Sequence, residues 1–489
     1  MNNAEYRLSP TAYTADVPLC PDDKLHEECG IFGMACPPDE DRDPALAAYN
    51  ALFALQHRGQ ESCGITVNRD GALIQHKDTG LVPDVFNKER LNALSGAQMA
   101  IGHVRYASDS SLRTVANAQP LTVRHASGSM ALCYNGKLVN SHALRTECEN
   151  RGAIFRTTND AEVISYMIVR EHLRTNTLED AVLNAMQFMI GAFSLIVMDQ
   201  TRLIAARDPN GFRPLCMGKV GESIVFASES CAIQALGGRL IRDVKPGEVI
   251  VAEKGRIESY HCGILARSSL CMFELIYFTR QDSIIDGVPV GMFRTEAGRM
   301  LARRNTNEAD IVIGVPDSGL AAAMGFAQES GIPYGTGLIK NRYIQRTFIQ
   351  SRQEERNKSV RIKLNALAAV VRGKRVILID DSIVRGTTSK RIVRLLRHAG
   401  AAEVHMKVTA PPFLNPCYFG THIPDSSELA AYGRTTEEVC QMIGADSLQY
   451  MSVGDLKEIM EGLDMGVCDA CFTGRYVLPI PKEHADTGD

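Results

Sequence analysis

Arg375-Val-Ile-Leu-Ile-Asp-Asp-Ser-Ile-Val-Arg-Gly-Thr-Thr-Ser389 joins an apolar β-branched run, an acidic pair and a small-residue loop. Together these residues suit a phosphorylated sugar. Val376–Ile379 predicts a strand, and Ser389–His398 predicts a helix that Gly400 can end. The loop between them falls at the carboxyl end of a strand, where open α/β sheets place their ligands. Backbone N–H groups of Ser382, Ile383, Val384, Arg385, Gly386, Thr387 and Thr388, with the two threonine hydroxyls, can surround a phosphate at the helix N-terminus. Asp380 and Asp381 are left to face diol hydroxyls or a hard cation. A lone acid after a strand is usually a helix cap, whereas two adjacent acids followed by this loop are more specific. A second strand and turn, Ile311-Val-Ile-Gly-Val-Pro-Asp-Ser-Gly319, would alone be ordinary punctuation.

A different chemistry centres on Cys29-Gly-Ile-Phe-Gly33. A cysteine in such a stretch is most often packing. Three segments change that reading: Gly102-His-Val-Arg-Tyr106, Tyr134-Asn-Gly136 and Thr157-Thr-Asn-Asp160, joined by Asn117-Ala-Gln-Pro120. Together they resemble the glutaminase half of the N-terminal-nucleophile amidotransferases. The resemblance implies that Cys29 becomes the first residue of the mature chain, with Met1 to Glu28 a propeptide, so that its own α-amine serves as base. An α-amine titrates near neutrality and a thiol slightly above it, which nearly balances the proton transfer. By the same resemblance Cys29 is the nucleophile that forms a glutamyl thioester, and Arg105 pairs with the glutamine α-carboxylate. Asn135 and the Gly136 N–H stabilise the oxyanion, and Asp160 holds the α-ammonium. The chemistry agrees, since guanidinium matches carboxylate as a fork and preorganised neutral donors suit an oxyanion. Ala107, Lys137 and Asn159 depart from the family's usual Ser, Asn and Ser, and none supplies a catalytic atom.

The acidic loop resembles the phosphoribosyl pyrophosphate (PRPP) signature of type I phosphoribosyltransferases. That implies ribose hydroxyls on Asp380 and Asp381, the 5-phosphate in the following loop, and Ser318 beside a Mg²⁺-bound diphosphate. With both halves in this order, Cys29 to Pro481 resembles the glutamine PRPP amidotransferase family. The implied reaction hydrolyses glutamine and delivers ammonia to C1 of PRPP, giving phosphoribosylamine at the first committed step of purine synthesis. Tyr277-Phe-Thr-Arg-Gln-Asp-Ser283 resembles the family's Tyr-Phe-Ala-Arg-Pro-Asp-Ser, with Thr279 and Gln281 substituted. Lys340 to Ile349 resembles the loop that closes over PRPP and completes an apolar ammonia passage. Two other readings share parts of the pattern. A PRPP-sensing regulator would keep the acidic loop without Cys29 chemistry, and a glucosamine-phosphate synthase would share only the first half.

Of the fourteen cysteines, Cys468-Asp-Ala-Cys471 forms a C-x-x-C pair. Four thiolates can hold either Zn²⁺ or a 4Fe–4S cluster, and spacing does not separate them. The resemblance adds Cys271 and Cys417 to the pair and implies the 4Fe–4S branch of the family.

Positioning these groups asks for two architectures. The resemblance implies an αββα sandwich over residues 29–262. Residues 263–489 read as a phosphoribosyltransferase domain with a helical tail. Short strands at Ile311–Val315, Val376–Ile379 and Val404–Thr409 alternate with helical patterns, the mark of a parallel sheet. The tail predicts helices at Thr435–Ile443 and Val453–Met460. A length of 489 residues suits two or three domains, and a net charge of −4 with pI near 6.3 offers no case for nucleic acid. No 18-residue apolar run predicts a membrane span. The leader is acidic and makes a poor signal peptide, so a cytoplasmic enzyme is expected. The family further implies purine-nucleotide inhibitors and a homotetramer.

Overall fold

The structure, a computed structural model, describes residues 29–106, 114–264, 268–341, 364–421, 423, 425–463 and 465–480. The expectations for Met1 to Glu28, for Ala107 and for Arg342 to Ile349 lie outside the described residues.

The first strand shows why the N-terminal half is layered. In Gly30–Ala35, Phe32 and Met34 join one apolar cluster while Ile31 and Ala35 join another. A strand apolar on both faces needs cover on both. The first sheet runs Arg239–Asp243, Cys216–Val220, Ser223–Ala227, Gly30–Ala35, Met99–Arg105, Ser62–Arg69, Ala72–Thr79. The second runs Arg256–His261, Glu248–Glu253, Leu203–Arg207, Gly191–Met198, Gly128–Leu138, Leu121–His125. Ile31, Ile101, Ile196 and Ile250 fill the space between the sheets. Helix Pro44–Ala54 covers the first sheet through Ala48 and Leu52, and helices Asp160–His172 and Leu178–Met186 cover the second. The expected four-layer αββα sandwich is therefore present. Helix Pro44–Ala54 starts where it does because Asp43 accepts from Ala45 and Leu46 N–H and proline takes the first turn, a cap worth about 1 kcal/mol.

The second half carries a parallel sheet in the order Ile311–Gly314, Arg375–Asp380, Glu403–Val408, Ser447–Tyr450. Ile377 and Ile379 face one core and Val376 and Leu378 the other, as a strand covered by helices on both faces requires. The predicted strands are found within a residue or two. One helix differs: it spans Thr387–His398 and begins two residues before the expected Ser389. Gly386 is the reason, because its left-handed φ of 84° feeds the chain straight into the helix. In the tail, capping boxes at Thr435/Glu438 and Ser452/Asp455 open helices Thr436–Ile443 and Val453–Ile459. Leu270–Cys271 pairs in parallel with Val467–Cys468, tying this tail to the start of the second half. Among the described residues no helix is long and apolar enough to cross a membrane.

Candidate active sites

Cys29 directly precedes the central strand of the first sheet, and the adjoining strand ends at Arg105, which is 8% exposed. Across the sandwich, Cys133-Tyr134-Asn135-Gly136 comes to the same place. Cys133 Sγ donates to the Gly102 carbonyl at 3.4 Å, and His103 Nε2 lies 3.0 Å from the Tyr134 carbonyl. Burial pushes the Cys133 thiol well above its ordinary range, and the nearby Cys29 pushes it further. Asn135 is fully buried, and neither its Nδ2 nor its Oδ1 has a hydrogen-bond partner among the described residues. A buried amide in this state is rare and costly. Gly136 follows at φ 150°, where a Cβ would fall 2.0 Å from the Ala192 carbonyl oxygen. No side chain fits there.

Asp160 is the first residue of helix Asp160–His172, and Asn159 caps that helix by accepting from Ala161 N–H at 3.0 Å. Serine caps in the same way, so this departure from the family motif keeps its local role. Asp160 Oδ2 accepts from Leu138 N–H at 3.1 Å and Tyr134 Oη at 3.4 Å, while Oδ1 accepts from Ser141 Oγ at 2.5 Å. A carboxylate offers about four acceptor positions, which leaves room for one more donor. Cys29, Arg105, Asn135, Gly136 and Asp160 thus belong to one connected patch.

In the second half, Val315 N–H donates to the Ile379 carbonyl at 2.9 Å, so the two expected loops leave neighbouring parallel strands side by side. Ser318 Oγ donates to Asp381 Oδ1 at 2.5 Å and Ser382 Oγ to Asp381 Oδ2 at 2.7 Å. Asp381 N–H donates to Asp380 Oδ1 at 2.9 Å, and both acids are 1% exposed. Ser318 and the acidic pair therefore share a site. The loop divides its labour: the Ile383 and Val384 side chains are buried in the core, and Arg385 Nε donates to Glu428 at 2.9 Å. Only the backbone of Ile383 and Val384 is left for an anion. Thr387 and Thr388 occupy the first helical turn. Lys340, at the base of the expected covering loop, pairs with Asp317 at 2.8 Å.

Cys271, Cys417, Cys468 and Cys471 line one cavity with Phe273, Phe413, Phe419 and Tyr476. Burial pushes the Cys271 thiol up to about 12, with the neighbouring Cys417 adding to the rise. Among the described residues no three His, Cys, Asp or Glu side chains gather around a point fit for a single ion.

Sequence reasoning left several groups without a role. Gln119 clamps the peptide before Asn135, accepting from Tyr134 N–H at 2.7 Å and donating to its carbonyl at 3.4 Å. His103 binds the same carbonyl. Both lie in motifs already singled out, but their partner is 15 and 31 residues away in sequence. Arg58, Arg213, Glu229 and Glu274 are buried charges that the sequence presents as ordinary ones.

Comparison with known proteins agrees with this geometry. A glutamine amidotransferase domain model matches residues 103–235 and a phosphoribosyl transferase domain model matches residues 292–412. An amidophosphoribosyltransferase of Archaeoglobus fulgidus is 45% identical over 460 residues, covering 94% of this chain and 100% of that protein. One from Bacillus subtilis is 45% identical over 473 residues, covering 94% and 98%. The solved structure of the B. subtilis glutamine PRPP amidotransferase, complexed with ADP and GMP, superposes with a TM-score of 0.85 at 43% identity, covering 93% of this chain and 98% of that one. With the Cys29 patch on an αββα sandwich, the acidic loop on a parallel sheet, and relatives matched nearly end to end, the chain belongs to the amidophosphoribosyltransferase family.

Proposed function

We infer that this chain is a two-site enzyme that hydrolyses glutamine in residues 29–262 and uses the ammonia to aminate PRPP in residues 263–489, opening purine synthesis. One observation carries the reading. An Asn135 amide buried without a partner among the described residues, two residues along its strand from the Cys133 that neighbours Cys29, occurs in one chain with a Ser318–Asp381 acidic loop.

At the first site Cys29 Sγ attacks the glutamine carboxamide carbon. Asn135 Nδ2 and the Gly136 N–H donate to the oxyanion, acting where charge develops. Cys29 nitrogen is an amide in the intact chain; removal of Met1 to Glu28 turns it into the amine that takes the thiol proton and passes it to the departing ammonia. Water then releases glutamate from the thioester. Arg105 holds the α-carboxylate, and Asp160 offers its remaining acceptor position to the α-ammonium.

At the second site ammonia bonds to C1 of PRPP as pyrophosphate leaves. Asp380 and Asp381 orient the ribose hydroxyls, and the backbone from Ser382 to Thr388 holds the 5-phosphate. Ser318, Asp380 and Asp381 form an all-oxygen donor set that suits Mg²⁺, which when bound would neutralise the diphosphate leaving group. The Lys340–Asp317 pair stands where a covering loop would begin and exclude water, keeping ammonia unprotonated.

Cys271, Cys417, Cys468 and Cys471 would hold a 4Fe–4S cluster. Their shared apolar cavity supports this, whereas a zinc site would ask for four sulfurs at about 2.3 Å from one ion. When bound, the cluster supplies a cross-link between tail and second half, and neither reaction needs electrons. Purine nucleotides as inhibitors, a homotetramer and a cytoplasmic setting complete the proposal; the ADP and GMP in the B. subtilis relative support the first. Among the thirteen described cysteines there is no disulfide, in keeping with a reducing compartment.

The test is stoichiometry. Purified protein given glutamine, PRPP and Mg²⁺ should release glutamate and pyrophosphate in equal amounts, and ammonia should replace glutamine after Cys29 is alkylated. Glutamate release without pyrophosphate would refute the reading. Iron and sulfide analysis addresses the cluster; protein holding zinc or no metal in full activity would exclude it.

A further inference from the structure

A group of buried charges that neither reaction uses joins residues of the two halves. Arg58 and Arg213 are 1% exposed, and Glu229 and Glu274 are 0% exposed. Arg58 sits at the centre. Its Nε donates to Glu229 Oε1 at 2.5 Å, its Nη2 to Glu274 Oε2 at 2.6 Å, and its Nη1 to Glu274 Oε1 at 3.3 Å. Arg213 Nη1 joins Glu274 Oε1 at 3.3 Å, and His57 Nε2 lies 2.6 Å from Glu229 Oε1. Burial alone would push both carboxyls up. The charges of His57 and Arg58 hold Glu229 well below the usual carboxylate range, and those of Arg58 and Arg213 lower Glu274.

Each end of this group reaches a different half of the enzyme. At the glutamine end, Gly59 follows Arg58 and lies so close to Arg105 that a Cβ would meet its backbone nitrogen at 2.5 Å. Glu61 N–H donates to the Arg105 carbonyl at 3.0 Å. Ser228, beside Glu229, exchanges two 3.0 Å hydrogen bonds with Ile31, two residues after Cys29. At the other end, Glu274 opens the π-helical turn Glu274–Phe278. Arg294, from helix Val290–Arg303, donates to the carbonyls of Leu275 at 2.9 Å and Thr279 at 2.7 Å. Thr279, one of the two departures from the family motif, adds a hydroxyl that accepts from Arg58 at 3.1 Å and donates to Glu274 at 2.8 Å.

A buried ion group is weak as a source of stability, since its desolvation offsets most of its attraction, but its directional bonds fix geometry. We propose that Glu274 is a positioning residue for the glutamine site: through Arg58 and Glu229 it holds Gly59 against Arg105 and keeps the nucleophile strand in place, tying glutamine binding to the phosphoribosyl half. The proposal rests on the two-site reading above.

The experiment compares glutamine-dependent and ammonia-dependent synthesis in Glu274→Gln, which keeps the shape and removes the charge. The KM for glutamine should rise about tenfold or more, as small misplacements of binding groups do, while ammonia-dependent kcat and the KM for PRPP stay within about twofold. Thr279→Ala, which keeps every charge, should move the glutamine KM in the same direction by about two- to threefold and guards against misfolding of the first variant. An unchanged glutamine KM in folded Glu274→Gln would overturn the proposal, as would equal losses in both reactions. Failure of the two-site reading would show instead in the unaltered chain, as absent ammonia-dependent synthesis.

Discussion

Asn135 and Asp381 are both almost without exposure, at 0% and 1%, yet they stand in opposite hydrogen-bonding states. The Asn135 amide has no partner among the described residues, and both Asp381 oxygens already accept from serine hydroxyls. The supports differ too. Asn135 lies within the eleven-residue strand Gly128–Leu138, where it pairs with Ser194 of the neighbouring strand Gly191–Met198. Asp381 lies just past a strand end, in a loop whose groups can rotate toward one another. A rigid sheet can hold a group unsatisfied, because relaxing it would disturb the ladder; a loop relaxes until its groups satisfy themselves. The proposed glutamine site would therefore be preorganised at some expense in stability, and the proposed phosphoribosyl site would exchange internal hydrogen bonds for those of its substrate.

The comparison breaks most sharply at the nucleophile. Cys29→Ala should lower glutamine-dependent synthesis by more than about a thousandfold while ammonia-dependent synthesis stays within about twofold. Loss of both in folded protein would show that the sites are not separate. Asn135→Ala should cost about a hundred- to a thousandfold in kcat/KM for glutamine. Because it removes an unsatisfied amide, thermal melting should stay level or rise; a clear fall in Tm would contradict the idea of a strained, ready donor.

Asp381→Asn tests the other side. PRPP turnover with ammonia should drop about ten- to a hundredfold, and stability should fall by about 1–2 kcal/mol as charge-assisted hydrogen bonds are lost. The rate of Cys29 alkylation by a glutamine analogue should not change, and if it slows, the two supports are coupled through this loop.

The smallest expected effect concerns His103. Burial holds its imidazole down at about 3, with the charges of Arg105 and Lys77 adding to the depression and the Tyr134 carbonyl opposing it. In the unfolded chain the group titrates near 6.5, so between those values the unfolded state binds more protons and stability falls as pH falls. His103→Gln should flatten that decline by up to about 1.4 kcal/mol per pH unit, read as Tm between pH 6.5 and 4.5. Identical profiles would remove His103 from the acid response.

Much of this was legible in the chain. The apolar run before Asp380 and Asp381 read as a strand, and the helical patterns at Thr435–Ile443 and Val453–Met460 read as helices, each within about a residue of what is found. Where local reading slipped, as at the helix after Gly386, one left-handed glycine moved the boundary by two residues. Cys29, Arg105, Asn135, Gly136 and Asp160 could be singled out because each sits in a short motif that resembles the family's.

Residue type and short spacing determined which groups could act, since strand period, capping and loop chemistry are properties of a few neighbouring residues. Tertiary structure alone decided their state: that Asn135 lacks a partner among the described residues, that Ser318 meets Asp381, that Gln119 and His103 clamp one peptide, and that four thiols share a cavity. It alone also brought Arg58 onto Glu229 and Glu274, 171 and 216 residues away. Such pairings rest on long-range packing, and charges scattered along a chain carry no local signal of the partners that folding will give them.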